Sequence, residues 1–207
     1  MLAKNNLLFG LGVIDGDHRI YSYNNQTGKK ISSCICPFYR TWHSMLTRCY
    51  SPAYHKRFPT YVGCSVVPEW LIFSTFRTWM ETQKWQGMEL DKDTIKPNNK
   101  EYGPSTCVFI SQALNTFLVD NGASRGEWPV GVHWHKRDKK FMALCRDPFT
   151  RKQDFLGNFT TPEAAHEAWR KRKHEIATIY AGMQEDPRVA AALMTRFLAP
   201  YKEIREV

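Results

Sequence analysis

The feature that most restricts how this chain can fold lies between residues 130 and 180, where three short runs of alternating sequence precede one helical segment. Residues 130–135 read as a strand, with Gly131 inside it. Residues 141–146 set Phe141, Ala143 and Cys145 against Met142, Leu144 and Arg146, and residues 152–159 read as a third strand. Period-two alternation puts one set of side chains on each face of a sheet. The connections are polar: residues 136–140 hold four bases and one Asp, and residues 147–151 form a second turn. Thr160 or Thr161, then Pro162 and Glu163, supply a cap, a first-turn proline and an early acid for a helix. Within that helix Ala165, Trp169, Ile176 and Tyr180 mark an apolar side suited to covering the sheet. The expectation is a three-stranded antiparallel sheet packed on one helix.

One helix covers one face of such a sheet and leaves the other open. His133, His135, Arg137, Lys139, Arg146, Arg151 and Lys152 fall on the uncovered face and its turns. Strands are among the elements that lie in the DNA major groove, where arginine reads a guanine edge with two hydrogen bonds. Lysines in turns suit phosphate contacts, which position a protein without specifying sequence. These seven side chains are therefore candidate DNA contacts, with double-stranded DNA as the expected partner. Trp134, between two histidines, suits either the core or packing on sugar and phosphate edges. The four consecutive bases at 170–173 circle the helix, so one duplex cannot touch all of them. Net charge agrees: +9 overall, with 14 bases to 9 acids in residues 1–125 and 15 to 11 in residues 126–207. That balance favours a polyanion without identifying one.

The chain upstream reads as α+β. Residues 7–24 suggest a strand, a tight turn and another strand, and residues 24–30 a polar loop. From Pro37, Tyr39, Trp42, Met45, Leu46 and Cys49 recur at helical spacing. Residues 51–59 read as a basic loop, and Trp70, Phe73, Phe76, Trp79 and Met80 as a second helix, so the aromatics are expected to form a core between two helices. A strand beginning at Leu90, a loop over 96–104, a strand over 107–110 and a short helix capped by Ser111 complete the outline of a degenerate ββα metal finger. Residues 120–126, with two glycines and little apolar mass, are the expected linker. The expected regions are 1–122, 128–182 and a helical tail over 183–207.

A one-metal nuclease of the ββα class needs an acidic ligand on its first strand, a neighbouring general base and an Asn or His ligand from the following helix. Asp91 ends the first strand and Asn115 follows 24 residues later, so these two are the candidate metal ligands. Hard oxygen ligands favour one magnesium or manganese ion. Lys92 occupies the position beside Asp91 where a base is expected, and a protonated ammonium cannot accept a proton. Asp93 and His55 are the other candidates for that role. The alternative is structural: Asp91 and Asp93 brace the loop, and Asn98, Asn99 and Asn115 serve turns and packing.

Two resemblances add to this reading. Gly131-Val132-His133-Trp134, Lys140 to Ala143, Phe155 to Phe159 and Thr161 to His166 with Trp169 resemble the Apetala-type, ethylene-response-factor DNA-binding domain. That resemblance implies insertion of the sheet into the major groove, with contacts from His133, His135, Arg137, Lys139, Arg146 and Lys152. Residues 90–115 resemble the HNH, or His-Me finger, motif of phage homing endonucleases. With residues 42–49 and 61–70 they look like the amino-terminal part of bacteriophage proteins that join an HNH-like region to an Apetala-type domain. The implied function is a phage-encoded endonuclease hydrolysing DNA phosphodiester bonds with a divalent metal. The alternatives are an inactive regulatory or architectural DNA-binding protein, or a viral structural or host-interaction protein with a host or viral partner.

Six cysteines lie in a chain long enough to fold without disulfides, and free thiols in the cytoplasm of a bacterial host are expected. Cys34, Cys36, Cys49 and Cys64 are irregularly spaced for structural zinc, which is not expected. No stretch reaches the 18 or so apolar residues of a membrane span.

Overall fold

The computed structural model describes residues 7–16, 21–23, 26–34, 36–119 and 127–198. The fold is α+β, with six helices and a three-stranded antiparallel sheet among these residues. The chain divides into two compact units, residues 1–110 and 111–207. The expected linker at 120–126 lies outside the described residues.

The first unit is built on aromatic packing. Strands β1 (Tyr21–Tyr23) and β2 (Lys30–Cys34) pair antiparallel. The polar composition of residues 24–30 does not foretell β2, whose partner closes it. Helix α1 (Pro37–Tyr50) is capped by Cys36, whose Sγ accepts from the Tyr39 N–H at 3.4 Å. It buries Tyr39, Trp42, Met45, Leu46 and Cys49, the five positions of its apolar spacing. The expected basic loop is instead a short helix, α2 (Pro52–Arg57), because Ser51 caps it and Pro52 begins it, followed by a 3-10 turn at Pro59–Tyr61. A second 3-10 turn, Pro68–Leu71, leads into α3 (Phe73–Glu81), which buries Phe73, Phe76 and Met80. The Trp42 indole N–H donates to the Trp70 carbonyl at 2.6 Å, tying the two helical segments at the centre of the core. Gly12 is required there: a Cβ would lie 2.5 Å from Leu46 and 3.0 Å from Trp42.

Short strands then frame the candidate site. β3 (Ser65–Val66) runs parallel to β5 (Glu101–Tyr102), a pairing hidden within the Asn- and Gly-rich segment that reads as loop. β4 (Met88–Asp91) pairs with β6 (Val108–Ser111). Ser111 caps the next helix, α4 (Gln112–Leu118), accepting from the Leu114 N–H at 3.2 Å. Strand, strand and helix thus follow in the expected order. The unit boundary nevertheless falls at Ile110 rather than near residue 122, because Phe117 of α4 packs on Tyr180 and Phe197 at centroid distances of 5.1 and 5.8 Å.

The second unit contains β7 (Val132–His135), β8 (Lys140–Arg146) and β9 (Gln153–Phe159), in that order across the sheet. Helix α5 (Pro162–Gly182) begins at Thr161, whose hydroxyl accepts from the Ala164 N–H at 3.2 Å. Helix α6 (Pro187–Thr195) follows, burying Val189 and Leu193. Ala165 of α5 packs against Val132 and Ala143, with Phe141, Leu156 and Phe159 around them. Gly131 lies before β7 rather than within it, at φ +80°, and a Cβ would stand 2.0 Å from Trp169. The nearby His166 ring joins helix to strand by a 2.9 Å hydrogen bond from Nδ1 to the Val130 carbonyl. No helix among the described residues is long and apolar enough to cross a membrane.

Gly131→Ala is expected to destabilise the second unit by roughly 2 kcal/mol or more, since it combines a left-handed φ with a clash against an indole. Chemical denaturation followed by tryptophan fluorescence measures this directly.

Candidate nucleic-acid interface and carboxylate turn

The register sorts the sheet's side chains. Val132 lies opposite Ala143, Trp134 opposite Phe141, and Phe141 opposite Phe159 on the side that α5 covers. Trp134 packs on Phe141 at 4.8 Å between centroids yet stays 42% exposed, at the rim of this core. The other face carries His133, Met142 and Asn158 in one row and His135 beside Lys140 in the next. A β-bulge between Ala143 and Leu144 makes Leu156 the extra residue. Beyond it Leu144 faces Phe155 and Arg146 faces Gln153, which keeps Arg146 on the same outer face as His133. Phe155 is 60% exposed there.

All seven expected DNA contacts belong to this face or its two turns. In the first turn the Arg137 side chain is 92% exposed, and Asp138 lies 3.2 Å from His135 Nδ1. Lys139 and Arg151 occupy left-handed conformations, at φ +48° and +60°. A non-glycine residue pays about 1 kcal/mol for that geometry, so each hairpin holds a base where glycine would be easier. Lys140, Gln153, Phe155 and Asn158 also belong to the face but are not among the seven. For Lys140, Gln153 and Phe155 the signal is strand alternation; for Asn158 it is masked by the bulge at Leu156, which shifts the phase.

The turn joining β8 to β9 is built on Asp147, whose Oδ1 accepts from the N–H groups of Phe149 at 2.8 Å and Thr150 at 3.0 Å. The Thr150 N–H above all, with Phe149 and Arg172, holds this carboxyl below the usual carboxylate range. Arg172 also reaches Asp154 and Glu175, each at 2.9 Å. Of the four bases at 170–173, three serve the interior. Arg170 is paired with Glu167 at 2.7 Å. Lys173 donates to the Phe117 carbonyl at 2.6 Å with its ammonium 3.5 Å from that ring's centroid, and burial pushes it down to about 8. Lys171 alone is exposed.

In the first unit the candidate catalytic segment is a braced turn. Asp91 Oδ1 accepts from the Asp93 N–H at 2.8 Å, the Thr94 N–H at 2.6 Å and the Thr94 hydroxyl at 2.7 Å. Lys92 is 6% exposed and donates to Asp93 Oδ2 at 2.6 Å and the Asn99 carbonyl at 2.5 Å. Asn99 returns two bonds, to the carbonyls of Lys92 at 3.1 Å and Glu101 at 2.6 Å, while Asn98 takes φ +59°. Lys92 Nζ is thus tied to a carboxylate and a carbonyl, and the hydrogen bonds of Asp91, Asp93 and Asn99 are those of a braced loop. His55 Nε2 lies 2.9 Å from the Arg48 carbonyl, and the Arg48 guanidinium reaches the Leu90 carbonyl at 3.4 Å. His55 thus connects to the residue preceding Asp91 through Arg48. Asn115 lies on α4, in the second unit.

Asp91 Oδ2 accepts no hydrogen bond among the described residues, so one hard oxygen is available. No group of three or more His, Cys, Asp or Glu suited to a metal occurs among them. Cys49, Cys64 and Cys107 are buried free thiols, and burial pushes Cys49 and Cys107 up to about 12. Buried and unbridged, they act as small apolar core residues.

Set against protein-family models, curated proteins and solved structures, the chain has no match.

Lys92→Met is expected to cost the first unit about 2–3 kcal/mol in denaturant titration, because Asp93 and the Asn99 carbonyl lose a buried donor. Unchanged stability would remove the tie assigned to Lys92.

Proposed function

We propose that the protein binds double-stranded DNA, placing the outer face of β7–β9 in the major groove. The observation that carries this reading is the distribution of unpaired cations. Arg77, Arg170, Arg172 and Arg188 are each held by a carboxylate. Lys139, Lys140, Arg146, Arg151 and Lys152 have no carboxylate within ion-pair distance among the described residues, and all are exposed. Exposed cations on a sheet face and its two turns suit a phosphate-lined groove, with Arg146, Gln153 and Asn158 supplying donors for base edges. His133 and His135 both belong to β7 and bring ring nitrogens to the same face. Arg146→Ala combined with Lys152→Ala is expected to weaken duplex binding at least tenfold and to lower the salt slope by about 2, as fluorescence anisotropy over a salt series will read. Equal affinity would remove the face from the interface.

A second reading, a phage-type HNH-like endonuclease dependent on magnesium or manganese, is favoured by one feature of the first unit. Asp91 keeps Oδ2 clear of the bonds that brace its turn, and His55 is linked to the adjoining backbone through Arg48. In this reading Asp91 Oδ2 holds the ion, which would steady the scissile phosphate and leaving oxygen. His55 is the base in this reading: Nε2–H is given to the Arg48 carbonyl, so Nδ1 is the ring nitrogen left to take a proton. Incubation of supercoiled plasmid with either metal is expected to give nicking that Asp91→Asn and His55→Ala abolish while duplex affinity is unchanged. Nicking at the parental rate by both variants would remove this site. No nicking by the parent leaves a regulatory or architectural DNA-binding protein.

A further inference from the structure

We propose that the first unit carries its own phosphate-binding surface, formed by the last turn of α2 and Lys100, and that duplex DNA is its ligand. The inference rests on the duplex-binding reading and extends it to a unit in which that reading assigns no DNA contact outside the carboxylate turn. Residues 18–68 contain no Asp or Glu and seven Lys or Arg, a run of 51 residues in a chain with 20 acids. The second unit offsets most of its helical cations internally; this stretch has no acid of its own to do so.

Within the stretch the cations are concentrated where α2 ends. Lys56 and Arg57 are exposed, and neither meets a carboxylate among the described residues. Arg57 lies over the Phe58 ring at 5.2 Å, and Phe58 in turn packs on Tyr54 at 4.7 Å, with Tyr61 behind at 5.5 Å. A guanidinium resting on an aromatic face is partly ordered before any ligand arrives and still presents its edge donors. Lys100 joins from outside the stretch, its ammonium donating to the Thr60 carbonyl at 2.7 Å, which brings a third charge against residues 59–62. Two bases in the last turn also complement the helix dipole, but that effect is satisfied by one and does not call for an acid-free surround. Phosphate diester is the ligand chemistry that suits exposed cations, one of them stacked, in a stretch with no acid to define a counter-charge.

The test compares the full chain with its Lys56→Gln/Arg57→Gln variant and with a Lys84→Gln/Lys171→Gln variant of the same net charge, on one duplex over a salt series. All four side chains are exposed, so both variants are expected to melt with the parent. The expected result is a loss of about tenfold with a salt slope lower by about 2 for the Lys56/Arg57 variant, and near-parental binding for the other. Parental behaviour of the Lys56/Arg57 variant, or equal weakening of both, overturns the proposal, the second because it reports net charge alone. Loss confined to binding of phosphatidylserine vesicles also overturns it, in favour of a membrane surface. Arg146→Ala separates the two readings. If it is silent while the Lys56/Arg57 variant is impaired, the sheet assignment fails and this surface stands; if the parent binds no duplex, both fall.

Discussion

Arg172 is where the second unit is held to its own geometry. Its guanidinium projects from α5 to Asp154 on β9 and to Asp147 in the turn between β8 and β9, and Asp147 in turn orders that turn through two backbone N–H groups. A planar fork with five donors can satisfy two carboxylates at once, which an ammonium does less well. The bridge therefore sets the helix against one face of the sheet and uses two of the acids that would otherwise neutralise nearby bases. What remains on the opposite face is cationic because its counter-charges have been drawn inward.

The same division between structural and free charge organises the first unit. Lys92 is buried and tied to Asp93 and the Asn99 carbonyl, and the Asn99 amide closes the loop from the other side. A lysine in that place ties together the turn that carries Asp91. The carboxylate turn and the sheet face thus differ in kind. One is a turn held by its own hydrogen bonds, in which Asp91 Oδ2 accepts none among the described residues, and the other is a surface of exposed cations with two turns at positive φ.

Much of this was legible from residue spacing. The five buried positions of α1, the cap at Thr161 and the apolar side of α5 follow from periodicity, because one face of each element must leave water. The seven basic and histidine positions on the outer face follow from alternation and turn chemistry. Less was legible wherever a partner distant in sequence decides the outcome. Strands β2 and β5 lack strand-like composition and exist because β1 and β3 pair with them. The basic loop is a helix because Ser51 and Pro52 start one, a local signal outweighed in the reading by its charge. Asn158 joins the outer face through a bulge, and no alternation pattern carries past an inserted residue.

The amino-acid sequence by itself determined the α+β class, a cationic chain, the aromatic core positions and a sheet with one helix to cover it, since these depend on local periodicity and composition. Tertiary structure alone decided which cations are free. Whether Arg172 or Arg146, Lys92 or Lys56, faces a carboxylate depends on which acids the fold brings within about 4 Å. That is a property of through-space distance, to which spacing along the chain is blind.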